Sequence, residues 1–183
     1  MTSAPAAVRR HARFTVEQFH RLCDAVPEQR LELIDGEVLQ VIAKGTRHTA
    51  VVHRLIAAIQ ACLVASPPVP LQLRVEAPLD LGPADEPEPD LALVARRDDD
   101  YWDAHPTAAD TALVIEVADS SLAFDLEAKA RLYGAAGIPH YWVIDVQTPR
   151  LHVVREQSTG LDPAVLAALR RAVETVLRQL PRP

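Results

Sequence analysis

The sequence predicts an α/β domain in which a mixed β-sheet is flanked by helices, and three observations lead to this fold class. Apolar residues recur at helical spacing over residues 48–64, over 125–136 and again after 162. Short apolar runs bounded by turn residues alternate with these helices along the chain. The run over 111–117 is nearly all apolar, as in a strand buried on both faces of a layered domain.

The amino-terminal part is predicted to form a helix followed by a β-hairpin. Thr15 and Gln18 have the spacing of a capping box, so we expect a helix to start there. The dipeptide Asp35-Gly36 lies between two apolar runs and is a strong signal for a two-residue hairpin turn. The hairpin strands are expected at residues 31–34 and 37–42.

The main sheet is predicted to follow a helix that ends at Ser66-Pro67-Pro68. Apolar and polar residues alternate over 71–81, as in a half-buried strand, and Pro78 indicates that its far end leaves the sheet. Asp162-Pro163 has the pattern of a cap followed by the first residue of a final helix. Further strands are expected at residues 90–94, 111–117, 141–146 and 151–154.

Length and composition agree with one globular domain. The chain has 183 residues, of which 49% are hydrophobic and 24% charged, with a net charge of −6. This balance excludes a wholly disordered chain and a strongly basic nucleic-acid coat protein, but not a local basic groove. Two cysteines are too few for a disulfide framework, and the first residues carry no apolar signal core. We therefore expect a cytoplasmic protein that does not enter a membrane.

The order of the elements divides the chain into three parts. Residues 1–13 are expected to form a flexible tail, and residues 14–157 the α/β domain. Residues 158–183 are expected to form an amphipathic helix, which would pack on the core or serve as a dimerisation face.

Glu116 is the most informative candidate functional residue, because it lies at the end of the most apolar strand. A carboxylate buried beside a core costs several kcal/mol unless it is paired or binds a metal, as a rough general figure. Asp90 begins another short strand, and neighbouring strands would bring the two carboxylates together. Paired carboxylates at strand ends suit a hard divalent cation.

Lys129 is the third candidate. With Leu126 and Tyr133 it has helical spacing, so its side chain is expected at the edge of the face that packs on the sheet. A lysine there could pair with the carboxylates, position a water or stabilise developing negative charge. A structural role for the three residues stays open as an alternative, because such residues also form ion-pair networks without function.

An ordered series of motifs resembles the Uma-type restriction endonuclease family of the PD-(D/E)XK nuclease superfamily. The resemblance runs from about residue 14 to about residue 155 and is carried by the order of the motifs rather than by any single one. The motifs are Glu32-Leu33-Ile34-Asp35-Gly36-Glu37, the helix led by His48, Pro89-Asp90-Leu91-Ala92-Leu93-Val94, Val114-Ile115-Glu116-Val117-Ala118-Asp119-Ser120-Ser121, the segment from Asp125 to Lys129 with Tyr133, Gly137-Ile138-Pro139 and Tyr141-Trp142-Val143-Ile144-Asp145.

The resemblance implies roles for the matched residues. Asp90 and Glu116 would be metal ligands, and the backbone carbonyl of Val117 a third ligand. The usual lysine position holds Ala118, and Lys129 from the following helix takes its place in the resembled family. Glu32 matches an acidic position of the family, where it could act through water or a second ion; an exposed hairpin residue is the equal alternative.

Two further residues are weaker candidates. Asp125 lies four residues before Lys129, so we expect an ion pair with it, or a helix cap, rather than a metal ligand. His48 and His53 are five residues apart, which is wrong for two ligands on one helix face; each is expected to be a surface or capping residue.

The carboxyl-terminal helix is expected to depart from the family pattern.

These observations predict a metal-dependent endonuclease that hydrolyses phosphodiester bonds, and the resemblance implies DNA as its substrate. The expected cofactor is magnesium (Mg²⁺), with Mn²⁺ as an alternative, and the expected partner is nucleic acid, with a homodimer possible for the superfamily. The alternatives are a non-catalytic regulatory or oligomerising module on the same fold, and a hydrolase of another phosphodiester such as a nucleotide. Arg74, Arg96, Arg97 and Arg131 are the expected sources of local attraction for a nucleic-acid backbone.

Overall fold

The computed structural model describes residues 11–65 and 70–181. Most of the expected tail, residues 1–10, lies outside the described residues, and so does the expected helix stop at Ser66-Pro67-Pro68. The elements in chain order are α1 (Val16–Ala25), β1 (Leu31–Ile34), β2 (Glu37–Gln40), α2 (Thr46–Ala65), β3 (Leu71–Val75), β4 (Leu91–Ala95), β5 (Thr111–Ala118), α3 (Leu122–Phe124), a π-helical turn (Asp125–Lys129), α4 (Ala130–Ala135), β6 (His140–Asp145), β7 (Arg150–Glu156) and α5 (Pro163–Arg178).

A five-stranded mixed sheet in the order β3-β4-β5-β6-β7 forms the centre of the protein. Strands β5 and β6 are parallel, and every other neighbouring pair is antiparallel. The parallel pair is joined by the segment from α3 to α4, as a crossover requires. Strands β1 and β2 form a separate hairpin. The predicted α/β class with a mixed sheet and flanking helices is therefore confirmed.

The two faces of the sheet bury different sets of residues. Along β6, Trp142 and Ile144 belong to the cluster formed with α2 and α5, which we call the α2/α5 face. The intervening Tyr141 and Val143 belong to a second cluster, formed with α4 and the hairpin, which we call the α4 face. This alternation follows from the two-residue period of a strand. All eight residues of β5 are buried, as its apolar sequence predicts.

Several element boundaries differ from the sequence-based expectation; β2, for example, ends at Gln40 rather than at residue 42. Strand β3 ends at Val75 rather than at residue 81, because Glu76 adopts a left-handed backbone with φ of 46°. Beyond it Leu79 crosses to the α4 face. The helix expected over 125–136 begins at Leu122 and contains a π-helical turn at Asp125–Lys129. The Asp35-Gly36 turn is confirmed, with φ of 50° and 73°.

Helix α2 alone, within the described ranges, is long and apolar enough to cross a membrane by length and composition. Its residues Val51, Val52, Leu55 and Ile59 are buried in the α2/α5 face. Through this stripe α2 packs on the sheet and on α5.

Candidate active site

Asp90 and Glu116 lie side by side because of the register between β4 and β5. Leu91 pairs with Ile115 in this antiparallel ladder, so Asp90 and Glu116 come next along it. The Asp90 N–H donates to Glu116 Oε2 at 3.3 Å, and the Val117 N–H donates to Asp90 Oδ2 at 2.7 Å. Both side chains are buried. The two acids therefore face one another rather than opposite sides of the sheet.

Lys129 reaches this pair from the end of the π-helical turn. Its Nζ lies 3.0 Å from Glu116 Oε1 and 3.3 Å from Glu32 Oε2. The Tyr133 hydroxyl donates to the same Glu116 Oε1 at 2.8 Å. A π-helical turn inserts one residue into a helix and is frequent at functional sites, because it re-aims the side chains that follow. The structure thus brings together Asp90, Glu116 and Lys129 from three separate elements.

Glu32 is part of the same cluster, on strand β1 of the hairpin. It is only 8% exposed, so the alternative of an exposed hairpin residue is wrong. Its Oε2 pairs with Lys129 and also accepts the Glu88 N–H at 3.3 Å. The hairpin is packed over the α4 face, which turns this side of β1 inward.

His48 is buried at the site, so its interpretation as a surface or capping residue is wrong. Its Nε2 lies 3.0 Å from Asp90 Oδ1. His48 belongs to the first turn of α2, which begins directly beside Asp90, and this proximity arises from tertiary packing. His53, five residues further along α2, is exposed as expected.

Asp125 lies in the cluster but does not form the expected i,i+4 ion pair. Its Oδ2 accepts the Ser121 hydroxyl at 2.6 Å, and its backbone carbonyl accepts the Tyr141 hydroxyl at 2.9 Å. Lys129 instead pairs with Glu116 and Glu32. The π-helical turn explains the difference, since it shifts the angular relation between residues four apart.

Lys44 is a site residue that the sequence analysis missed. It lies in the connection between β2 and α2, and its Nζ is 2.5 Å from Asp90 Oδ1 and 2.8 Å from Glu76 Oε1. No local pattern marks this residue. One signal was available, because the chain contains only one other lysine, Lys129.

Burial and neighbouring charges give the acids opposite protonation behaviour. Burial alone would raise the pKa of Asp90, but His48 and Lys44 lower it to about 2. Burial raises the pKa of Glu116 to about 8 against the influence of Lys129, and the nearby carboxylates of Asp90, Asp125 and Glu32 add to the rise. Burial would lower the pKa of Lys129, yet Glu116, Glu32 and Asp125 raise it above its usual range, so Lys129 stays an ammonium.

An open cavity of about 450 Å³ borders this cluster. Its cationic side chains are Lys44, Lys129 and, when protonated, His48. The arginines expected to attract nucleic acid lie outside this cavity. The guanidinium groups of Arg74 and Arg97 lie over the Tyr101 ring. Arg97 follows the carboxyl end of β4, whereas Asp90 precedes its amino end. Local attraction for an anionic ligand therefore comes from lysine rather than from arginine.

The donor chemistry of the cluster fits a hard divalent cation. Within residues 11–65 and 70–181, no group of three or more His, Cys, Asp or Glu side chains is arranged to hold a metal ion by itself. Mg²⁺ does not require one, since it is usually held by one or two carboxylates and keeps several waters. Asp90 and Glu116 supply such carboxylates. The N–H and C=O of one strand residue point to the same side, so the Val117 carbonyl faces the side of Asp90 as its N–H does.

The sequence of this chain matches the profile of a known protein family. The sequence profile of the family Uma2, described as "Putative restriction endonuclease", matches residues 16–179. The chain belongs to the Uma2 family. Because this match extends through α5, the expectation that the carboxyl-terminal helix departs from the family is wrong. Membership supports a nuclease-like function.

A solved structure has the same fold as this Uma2 protein. It is described as a "putative nuclease belonging to DUF820" from Anabaena variabilis ATCC 29413. The two chains are 16% identical and superpose with a TM-score of 0.62, over 90% of this chain and 99% of the other. No curated protein matches the sequence.

Proposed function

We propose that this protein is a divalent-metal-dependent endonuclease that hydrolyses phosphodiester bonds in DNA. One observation carries the proposal: Asp90, Glu116 and Lys129 meet at one cavity although they come from three elements. Membership in a family described as "Putative restriction endonuclease" supports a functional role for this cluster over a purely structural ion-pair network. DNA as the substrate is part of the proposal, as is assembly into a homodimer.

Asp90, Glu116 and the Val117 carbonyl are the proposed ligands of Mg²⁺, or of Mn²⁺ in its place. When bound, the cation would offset charge on the phosphodiester and acidify a water near it. Asp90 is ionised at neutral pH because its pKa is lowered to about 2. Glu116 must lose its proton to bind a cation, since only the carboxylate is a ligand.

Lys129 is the proposed catalytic cation. Its ammonium is held between Glu116 and Glu32, and the Tyr133 hydroxyl donates to the same oxygen of Glu116. A rigid ammonium beside the ligands can orient an attacking water and stabilise the negative charge that grows on the phosphate. Glu32 and Asp125 are proposed to position Lys129 and the helix that carries it, rather than to contact the substrate.

Plasmid cleavage tests the proposal. Purified protein should nick supercoiled DNA with Mg²⁺ or Mn²⁺, and Asp90→Asn or Lys129→Met should remove that activity. Asp98→Asn, which changes an exposed acid outside the cavity, is the matched control and should cleave like the wild type. Equal cleavage by wild type and both site variants would identify a contaminant and overturn the proposal.

The competing functions give different outcomes in the same assay. A non-catalytic module would neither cleave DNA nor bind Mg²⁺ at millimolar concentration. A hydrolase of another phosphodiester would cleave RNA or a small diester in preference to DNA. Light scattering of the purified protein tests the homodimer separately.

A further inference from the structure

The distribution of lysine in this chain singles out one residue that the proposed function does not use. The sequence has two lysines and 17 arginines. Both lysines line the cavity, whereas arginine supplies the cations elsewhere in the chain. Lysine differs from arginine in carrying a compact charge on a flexible four-carbon stem, while the guanidinium is a rigid planar fork. Lys44 therefore occupies a position where a small, mobile cation is suited.

Lys44 contacts Asp90 at the cavity that both residues line. Its Nζ contacts Asp90 Oδ1 at 2.5 Å, and His48 Nε2 contacts the same oxygen at 3.0 Å. The other oxygen, Oδ2, accepts the Val117 N–H. Two donors of the protein are thus turned to Oδ1, and a divalent cation that binds this oxygen must displace one of them.

Lys44 is the donor that can leave. The Val117 N–H is part of a buried strand and His48 is buried in a helix, whereas Lys44 lies in a connection, residues 41–45, outside any helix or strand. Its side chain is 18% exposed. Glu76 Oε1 also lies 2.8 Å from its Nζ, so the ammonium keeps one partner when it leaves Asp90.

We propose that Lys44 is a positioning residue. Its ammonium holds Asp90 while no divalent cation is bound, and it moves from Asp90 to a phosphate oxygen of the substrate once the cation binds. This inference rests on the proposed function. Two cations at one carboxylate oxygen repel each other, and the repulsion is strong at a site withdrawn from water. The phosphodiester restores a negative partner to the displaced ammonium. Lys44 then couples cation binding to substrate binding.

Cation binding to the protein alone is the first test. Isothermal titration with Mg²⁺ should show tighter binding for Lys44→Met than for the wild type. The expected gain is about tenfold, since one charge within about 5 Å changes the proton affinity of a carboxylate by that factor or more. Lys44→Gln should give the same result, and circular dichroism establishes that both variants fold. Lys44→Arg keeps the competing charge and should bind no tighter than the wild type.

Arg47→Met is the matched control for simple loss of charge. Arg47 lies three residues after Lys44 but contacts Gln147 and lines a different cavity. Its removal should leave Mg²⁺ affinity within about twofold of the wild type, because an exposed charge is screened by solvent. Equal gains in both variants would overturn the inference.

DNA binding with Ca²⁺ in place of Mg²⁺ is the second test. A fluorescent DNA oligonucleotide should bind Lys44→Met more weakly than the wild type when Ca²⁺ is present, and equally without it. A purely structural role for Lys44 would give the same difference in both conditions and would overturn the inference. So would a Lys44→Met variant that binds Mg²⁺ no tighter than the wild type.

The outcomes separate this inference from the proposed function. If the wild type binds Mg²⁺ and the lysine variants show neither effect, only the inference fails. If neither the wild type nor Lys44→Met binds a divalent cation, the proposed function fails and the inference fails with it. Binding by Lys44→Met alone would support the exchange, because it would show Lys44 blocking Asp90.

Discussion

The two faces of one sheet have opposite chemistry although they share the same strands. Along β5, Ile115 and Val117 point into an apolar cluster on the α2/α5 face, while Val114 and Glu116 point to the α4 face. The α4 face buries four carboxylates near two ammonium groups, with His48 beside them. Buried charges rarely stabilise a fold more than apolar packing does. We infer that the α2/α5 face supplies stability and that the α4 face, at its polar end, supplies function.

Glu116→Gln is the change on the α4 face that should reduce activity most strongly. It removes a proposed cation ligand that also accepts a hydrogen bond from Lys129, so the initial rate of plasmid nicking should fall by about a thousandfold. The variant should still unfold cooperatively, because the apolar face is unchanged. Nicking within tenfold of the wild type would show that Glu116 is structural.

Leu169→Ala should give the opposite result on the other face. Leu169 is fully buried in the α2/α5 face, so its truncation should cost about 2–5 kcal/mol of unfolding free energy, measured with urea. Nicking at a temperature where the variant is folded should stay within about twofold of the wild type. A large loss of activity in the folded variant would mean that the two faces are not separable.

The pH dependence of Mg²⁺ binding tests the proposed role of Glu116 on the α4 face. Glu116 has a pKa raised to about 8 and is protonated below it, so Mg²⁺ affinity should increase as the pH rises from 6 to 8 and level off above. The slope should approach about tenfold per pH unit, with release of one proton. Asp90 adds nothing in this window, because its pKa is lowered to about 2. Glu116→Gln should bind more weakly and show a flat profile in titration calorimetry.

Asp162→Ala should have the smallest effect and act on the α2/α5 face alone. Asp162 caps α5 by accepting the N–H groups of Ala164 at 2.8 Å and Val165 at 3.3 Å. Loss of the cap should cost about 1 kcal/mol of unfolding free energy. Asp162→Asn keeps the acceptor and should be nearly neutral in the same thermal unfolding assay. An effect of Asp162→Ala on Mg²⁺ affinity would contradict the separation of the faces.

The fold was predictable from the sequence where period and turn chemistry agree. The Asp35-Gly36 turn, the apolar run of β5 and the capped start of α5 at Asp162 each encode one element locally. The end of β3 was not predictable by period, because the alternation continues past Glu76 while the backbone turns there at φ of 46°. Likewise the helical spacing before Tyr133 gives no sign of a π-helical turn.

The candidate site was predictable only in part, for a related reason. Asp90, Glu116 and Lys129 belong to motifs that the family resemblance orders, and two of them lie at strand positions where a carboxylate is conspicuous. Lys44 and His48 reach Asp90 because α2 begins beside β4, which is a matter of tertiary packing. Glu32 became a site residue for the same reason, since the hairpin folds onto the α4 face.

Anomalous diffraction from crystals soaked in Mn²⁺ tests the proposed cation site most directly. Our account predicts one strong peak between the carboxylates of Asp90 and Glu116, at about 2.0–2.4 Å from an oxygen of each. The Lys44 ammonium should have moved away from Asp90 in the same crystal. A protein that takes up no Mn²⁺ there, or takes it up only at a distant position, would contradict the account.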